Sequence, residues 1–318
     1  MAVGAPSGMG YHAAMRLAVV MLLVAGACSS PEAGSAAGSA AGSAPGQPGP
    51  PAQHGDPAPP APATPPHRVL PTAAEALATL VQPAGGPAPR VLGIGEAHQT
   101  ARTAGVSSAL SRFTAELLPV LAGHVTDLVI ESWVEPAGCD RQAAQASAEV
   151  TRDIERPATT ENELLTLVER ARGLRIRPHL LSFGCEDYRA LRAPDGQVDY
   201  EALLGAVTAR LREAALTGLG HEGAVIALYG GALHNDLHPG PGVADFSYAT
   251  AVDAAAPGAY VEVDLLVPEY VTGNASFARE PWYPLIERAG PDHVVLIERA
   301  PRSYVLLLPA GLAVKSAP

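Results

Sequence analysis

Short apolar runs recur from residue 90 onward, and longer stretches with apolar residues three and four apart lie between most of them. The runs have the length of single strands and the longer stretches have helical periodicity. Strands are predicted over 90–96 (RVLGIGE), 127–131 (DLVIE), 176–183, 224–229 (AVIALY) and 260–267 (YVEVDLLV). Helices are predicted over 73–81, 106–121, 162–172 and 200–216. A late pair of runs, 293–297 and 303–308, flanks Ala300-Pro301 and reads as a terminal hairpin. Strands in alternation with helices give an α/β fold, with a mainly parallel sheet, helices on both faces and a C-terminal β-hairpin.

The pattern fails before residue 67. Residues 17–27 (LAVVMLLVAGA) follow Arg16, form a short apolar core and end at Cys28, which makes 1–27 a lipoprotein signal peptide with Cys28 as the lipidated residue. Met15 opens a more compact leader than Met1. Residues 28–66 are Ala, Gly, Ser and Pro with almost no large apolar side chain, too little to offset chain entropy, and read as a disordered tether. The folded domain is then 67–318, long enough for one substantial core. These features place the protein in a bacterial cell envelope, lipid-anchored at the outer membrane or periplasmic face. With Cys28 lipidated, Cys139 and Cys185 remain, and outside the cytoplasm they can pair as a disulfide or stay as two free thiols. A net charge of −11 and 5% aromatic residues argue against nucleic acid as a partner. A small-molecule or peptide substrate, and the membrane through the anchor, are the expected partners.

Ionisable residues gather where the predicted strands end. The first strand gives Glu96 and His98, which point to one side of an extended chain. The second gives Glu131, followed by Ser132 and Trp133, and the third leads into Glu186 and Asp187. The fourth leads into Gly230-Gly231-Ala232-Leu233-His234-Asn235-Asp236-Leu237-His238. Ligands of open α/β sheets bind at these carboxyl ends. Two imidazoles and a carboxylate suit Zn, Mn, Fe or Co, with positions open for water. His98, Glu131 and His234 are the candidate metal ligands, and Glu96 is the candidate general base or a fourth ligand. Asp236 and His238 are candidates to orient a ligand imidazole. No GxSxG elbow or Walker loop occurs in 67–318.

Gly95-Glu96-Ala97-His98 and Gly231-Ala232-Leu233-His234, each a Gly-x-x-His after an apolar run, with Glu131 between them, resemble the Tiki/TraB/ChaN superfamily, which includes erythromycin-esterase-like proteins. The resemblance covers about residues 88–265. It implies either a metal-dependent hydrolase of peptide or ester bonds or a ChaN-like lipoprotein that binds haem or a metal without catalysis. ChaN-like proteins carry further His residues just after the first motif, and 99–110 here carry none. A third expectation is a scaffold that keeps the fold without the chemistry. Retention of Glu96, His98, Glu131 and His234 together argues against it.

Overall fold

A computed structural model describes residues 63–84, 86–132, 139–181 and 183–311. The signal peptide, Cys28, most of the tether and Trp133 lie outside the described residues. Among the described residues no helix is long and apolar enough to cross a membrane.

The elements in chain order are β1 (His67–Leu70), α1 (Ala73–Val81), β2 (Val91–Glu96), α2 (Ala109–Leu121, in three consecutive pieces), β3 (Asp127–Glu131), α3 (Arg141–Ile154), α4 (Thr159–Gly173) and β4 (Arg177–Leu181). There follow α5 (Cys185–Ala190), α6 (Tyr200–Leu219), β5 (Ile226–Gly231), α7 (Ala249–Ala255), β6 (Tyr260–Leu266), α8 (Pro268–Val271), β7 (Val294–Ala300) and β8 (Ser303–Leu307). The strands make one eight-stranded sheet in the order β1-β7-β8-β6-β2-β5-β3-β4. From β8 to β4 every pairing is parallel. β7 runs antiparallel to β8 and to β1, so the chain ends in the expected hairpin.

The alternation of apolar residues explains the two covered faces. Leu92, Ile94, Leu128, Ile130, Ala227 and Tyr229 pack with α1, α2 and α4 on one face. Val91, Val129, Ile226 and Leu228 pack with α3, α6 and α7 on the other. Strands buried on both faces have little room for polar residues, which is why they read as continuous apolar runs. The chain lays down β2, β3 and β4, then returns to put β5 between β2 and β3 before crossing to β6 on the far side of β2. Progression across the sheet therefore reverses at its centre, which makes the crevice above β2 and β5 the natural ligand position.

The helix α2 departs from the expectation in its winding, and α3, α5, α7 and α8 were not predicted. The stretch 106–121 contains a π turn over Phe113–Leu117, in which the Leu118 N–H bonds to the Phe113 carbonyl. Pro119 has no N–H to continue the α-helical ladder, which accounts for the local underwinding. The segment α3 was not predicted, because its buried face is mostly small: Ala143, Ala146, Ser147, Val150 and Ile154. Asp140 caps it, accepting from the Ala143 N–H at 2.9 Å.

Candidate functional site

The carboxyl ends of β2, β3 and β5 lie side by side, with Glu96 in register with Gly231. Strand parity sends Glu96 to the face of Leu92 and Ile94 and Glu131 to the face of Val129. The site therefore straddles the top of the sheet.

On the first face Glu96 is buried and both its oxygens are used. The His98 Nδ1–H donates to Oε1 at 2.7 Å and the Tyr229 hydroxyl donates to Oε2 at 2.6 Å. Burial alone would raise the carboxyl pKa, but the His98 bond and the charges of His98 and Arg156 outweigh it, and Glu96 is held below the usual carboxylate range. The Tyr229 phenol moves the opposite way, well above its ordinary value, through burial and the adjacent Glu96. It stays a hydrogen-bond donor.

On the second face Glu131 accepts from the Gly231 N–H at 2.9 Å. Burial raises its pKa, and the neighbouring His234, His98 and Arg156 side chains pull it down further than burial lifts it. A Cβ at Gly230 would come within 2.5 Å of Glu131 Oε2, so only glycine allows this carboxylate to lie across β5. His234 is buried, and its Nδ1 lies 2.9 Å from Thr208 Oγ1 and 3.1 Å from the Phe246 carbonyl. A carbonyl can only accept, so Nδ1 carries the proton and Nε2 presents a lone pair. Burial lowers the His234 pKa, and the opposing pull of Glu131 does not reverse it. The ring is neutral at pH 7.

The imidazoles converge over Gly231. A Cβ placed there would lie 3.0 Å from His98 Nε2 and 3.7 Å from His234 Cδ2. The backbone sets this geometry: the Ala232 N–H bonds to the Glu96 carbonyl at 3.1 Å and the His234 N–H to the Gly231 carbonyl at 3.0 Å, which turns the chain tightly after β5.

Arg156 joins this group without any sequence motif. Its NH2 nitrogen sits 2.9 Å from both ring nitrogens of His98. The local fold puts it there: α3 ends at Glu155 in the left-handed region (φ 53°) and the chain swings toward the sheet. The Ala101 N–H bonds to the Glu155 carbonyl at 2.9 Å, tying the Arg156 turn to the loop after His98. Thr208, Tyr229 and Arg156 were all missed in the sequence. The first lies mid-helix, the second is one apolar-run residue among several, and the third is 58 residues from its contact.

Other sequence candidates fall elsewhere. Asp236 accepts from the His238 N–H and pairs with Arg299 at 3.3 Å, while His238 Nε2 meets the Pro301 carbonyl. Neither touches His98 or His234; Thr208 and the Phe246 carbonyl orient His234 instead. Asp236 belongs to a cluster in which Arg299 serves three carboxylates, Asp236, Glu262 and Asp264. Glu186 pairs with Arg189 and Asp187 with Arg210, both outside the site. Cys139 and Cys185 form a disulfide linking the residues just before α3 to the start of α5. A separate groove of about 900 Å³, lined by Asp127, Arg177, His179 and Arg210 among others, opens at the amino ends of β3, β4 and β5, away from these residues.

The donor set does not fit a metal as it stands. Among the described residues no three His, Cys, Asp or Glu side chains gather around one point. A guanidinium already lies against His98, and one cation beside a nitrogen disfavours a second. The arrangement is instead one of paired groups, Glu96 with His98 and Glu131 near His234, with a single arginine between them.

No family model, curated protein or solved structure matches the chain.

Proposed function

We propose that the protein is a hydrolase of ester or peptide bonds, with its chemistry at the carboxyl ends of β2, β3 and β5. The observation that carries this reading is the His234 imidazole, whose Nδ1–H is tied down, which leaves the Nε2 lone pair unspent, and whose Cδ2 edge lies with His98 Nε2 over Gly231. A base at neutral pH needs a free lone pair and a pKa near the working pH. His234 offers the lone pair, and burial moves its pKa below the ordinary imidazole value, so the ring is available as a base. Glu96 meets neither, because both oxygens accept hydrogen bonds and its pKa is depressed. Glu96 is therefore the group that orients His98, and Glu131 supplies negative charge that favours the imidazolium formed when His234 takes a proton from water.

No step in this reading passes through a metal. The metal-dependent form suggested by the sequence resemblance enters as an arm of the test. Haem binding keeps only that resemblance behind it. Export and anchoring through Cys28 belong to the same proposal, and the Cys139–Cys185 disulfide, a bond kept in oxidising compartments, supports them.

The experiment is hydrolysis of 4-nitrophenyl carboxylic esters by the purified chain, before and after chelator dialysis. His234→Asn is expected to lower kcat by about 10²- to 10⁴-fold, the usual worth of a positioned base. The rate should rise with pH along an acid limb whose midpoint lies below the ordinary imidazole value of about 6.5, since burial depresses His234. Full activity in His234→Asn would overturn the assignment. Loss of turnover on chelation, restored by Zn²⁺ or Mn²⁺, would replace it with the metal-dependent form.

A further inference from the structure

Arg156 is the one arginine of the site among the described residues, and the Glu–His reading leaves it without a task. Its NH2 group is engaged with His98, while its Nε is buried with no hydrogen-bond partner among the described residues. It makes no ion pair within 4.0 Å among those residues, although its charge depresses both Glu96 and Glu131. An arginine that lies against His98, depresses two carboxylates and yet pairs with neither has donors to spare. A buried N–H without an acceptor costs about 1–3 kcal/mol. An oxygen brought in by a ligand would satisfy it.

Charge narrows what that oxygen belongs to. Glu96 and Glu131 are both ionised at neutral pH and His234 is neutral, so a single guanidinium gives the site no positive surplus. Glu163, half-buried near Glu96 and hydrogen-bonded by Ser108 at 2.6 Å, is a further acidic group on the same side. A phosphate or sulfate ester brings its own negative charge and is repelled. A neutral carbonyl is accepted and needs a positive partner only as its oxygen becomes negative.

We propose that Arg156 is a catalytic residue, that its guanidinium holds the carbonyl oxygen of a carboxylic ester as that oxygen becomes an oxyanion, and that the site takes uncharged or amine-bearing esters in preference to phosphate or sulfate esters. This rests on His234 as the base. Water attacks the carbonyl carbon, a C–O bond forms, and the π electron pair moves onto the oxygen beside Arg156. The His234 Nε2 takes the water proton. When the tetrahedral species collapses, the C=O bond re-forms, the ester C–O bond breaks, and His234 returns the proton to the departing alkoxide. One ester and one water give one acid and one alcohol, with no other reactant. Arg156 is better suited than lysine because its planar fork can reach His98 and the substrate oxygen together.

The test uses the full chain with 4-nitrophenyl acetate and 4-nitrophenyl phosphate. Arg156→Gln is expected to lower kcat on the acetate by about 10²- to 10³-fold, as loss of one oxyanion donor does, with KM changed less than about threefold. In Arg156→Ala, added guanidinium at millimolar concentration should restore part of the lost rate, which a structural role would not allow. The phosphate ester should be turned over at least about a hundredfold more slowly, the scale of a 2.7 kcal/mol difference. Turnover of the acetate that needs His234 but is unchanged in Arg156→Gln overturns this proposal alone. Equal turnover of the two esters also overturns it, and no turnover of either by the unmodified chain overturns it together with the hydrolase reading.

Discussion

Thr208 is the residue on which the reactivity of His234 turns. Its hydroxyl donates to the Leu204 carbonyl one helical turn back and receives the His234 Nδ1–H. Thr208→Val keeps the shape of the side chain and removes the acceptor. We expect kcat to fall by about tenfold, with a stability loss of about 1 kcal/mol, because the Phe246 carbonyl still takes the proton. Ester turnover alongside a melting curve checks this, and unchanged turnover would assign Thr208 to packing. Glu96, His98, Glu131 and His234 were legible in the sequence because each ends or follows an apolar run and strand ends share an edge. The partners that tune them were not. Threonine in a helix, tyrosine in a strand and arginine after a helix are ordinary residues in sequence and become specific only when folding brings them within 3 Å of an imidazole or carboxylate.

The helices α3 and α5 depend on the bond between Cys139 and Cys185. It closes a loop of 46 residues that includes Glu155 and Arg156. Replacing both cysteines by serine is expected to cost about 2–4 kcal/mol, measured by denaturant unfolding. It should also lower ester turnover more than the stability loss explains, because α3 carries Arg156 at its end. Activity that tracks the folded fraction alone would show that the bond serves stability only. Elements differed in legibility for a physical reason. The parallel strands, buried on both faces, appear as apolar runs that little else in a soluble chain produces. The helix α3 packs through alanines, which carry almost no hydrophobic signal, and β1 is a short edge strand with exposed residues at its centre.

At the scale of the molecule, the sheet carries a second buried set of charges beside the site. Glu262 and Asp264 face Arg299 with Asp236, so three carboxylates share one guanidinium. Burial pushes Asp264 up to about 6 against the pull of Arg299, and burial with the charge of Asp264 pushes Glu262 well above its usual range. The folded chain holds these protons more tightly than the unfolded chain does. The Asp264 contribution to stability is complete below the unfolded aspartate value of about 3.9 and is lost as pH rises through about 6. Asp264→Asn should therefore stabilise the protein at pH 8, by on the order of 1 kcal/mol, and change little at pH 4. Guanidinium unfolding at the two pH values checks this, and an equal effect at both would sink it. The strand order has a consequence in time as well as in space. β2 and β3 never pair with each other; each pairs with β5, which the chain supplies only after residue 225. A growing polypeptide that has exposed β2, β3 and β4 has only the β3–β4 pairing of this edge available to it. The middle of the sheet is thus closed only when β5 threads between two strands that wait for it, and β6, β7 and β8 are added after that. Contacts so distant along the chain form slowly, and a precursor of this design stays open, and without a site, until β5 and the turn that carries His234 have been made.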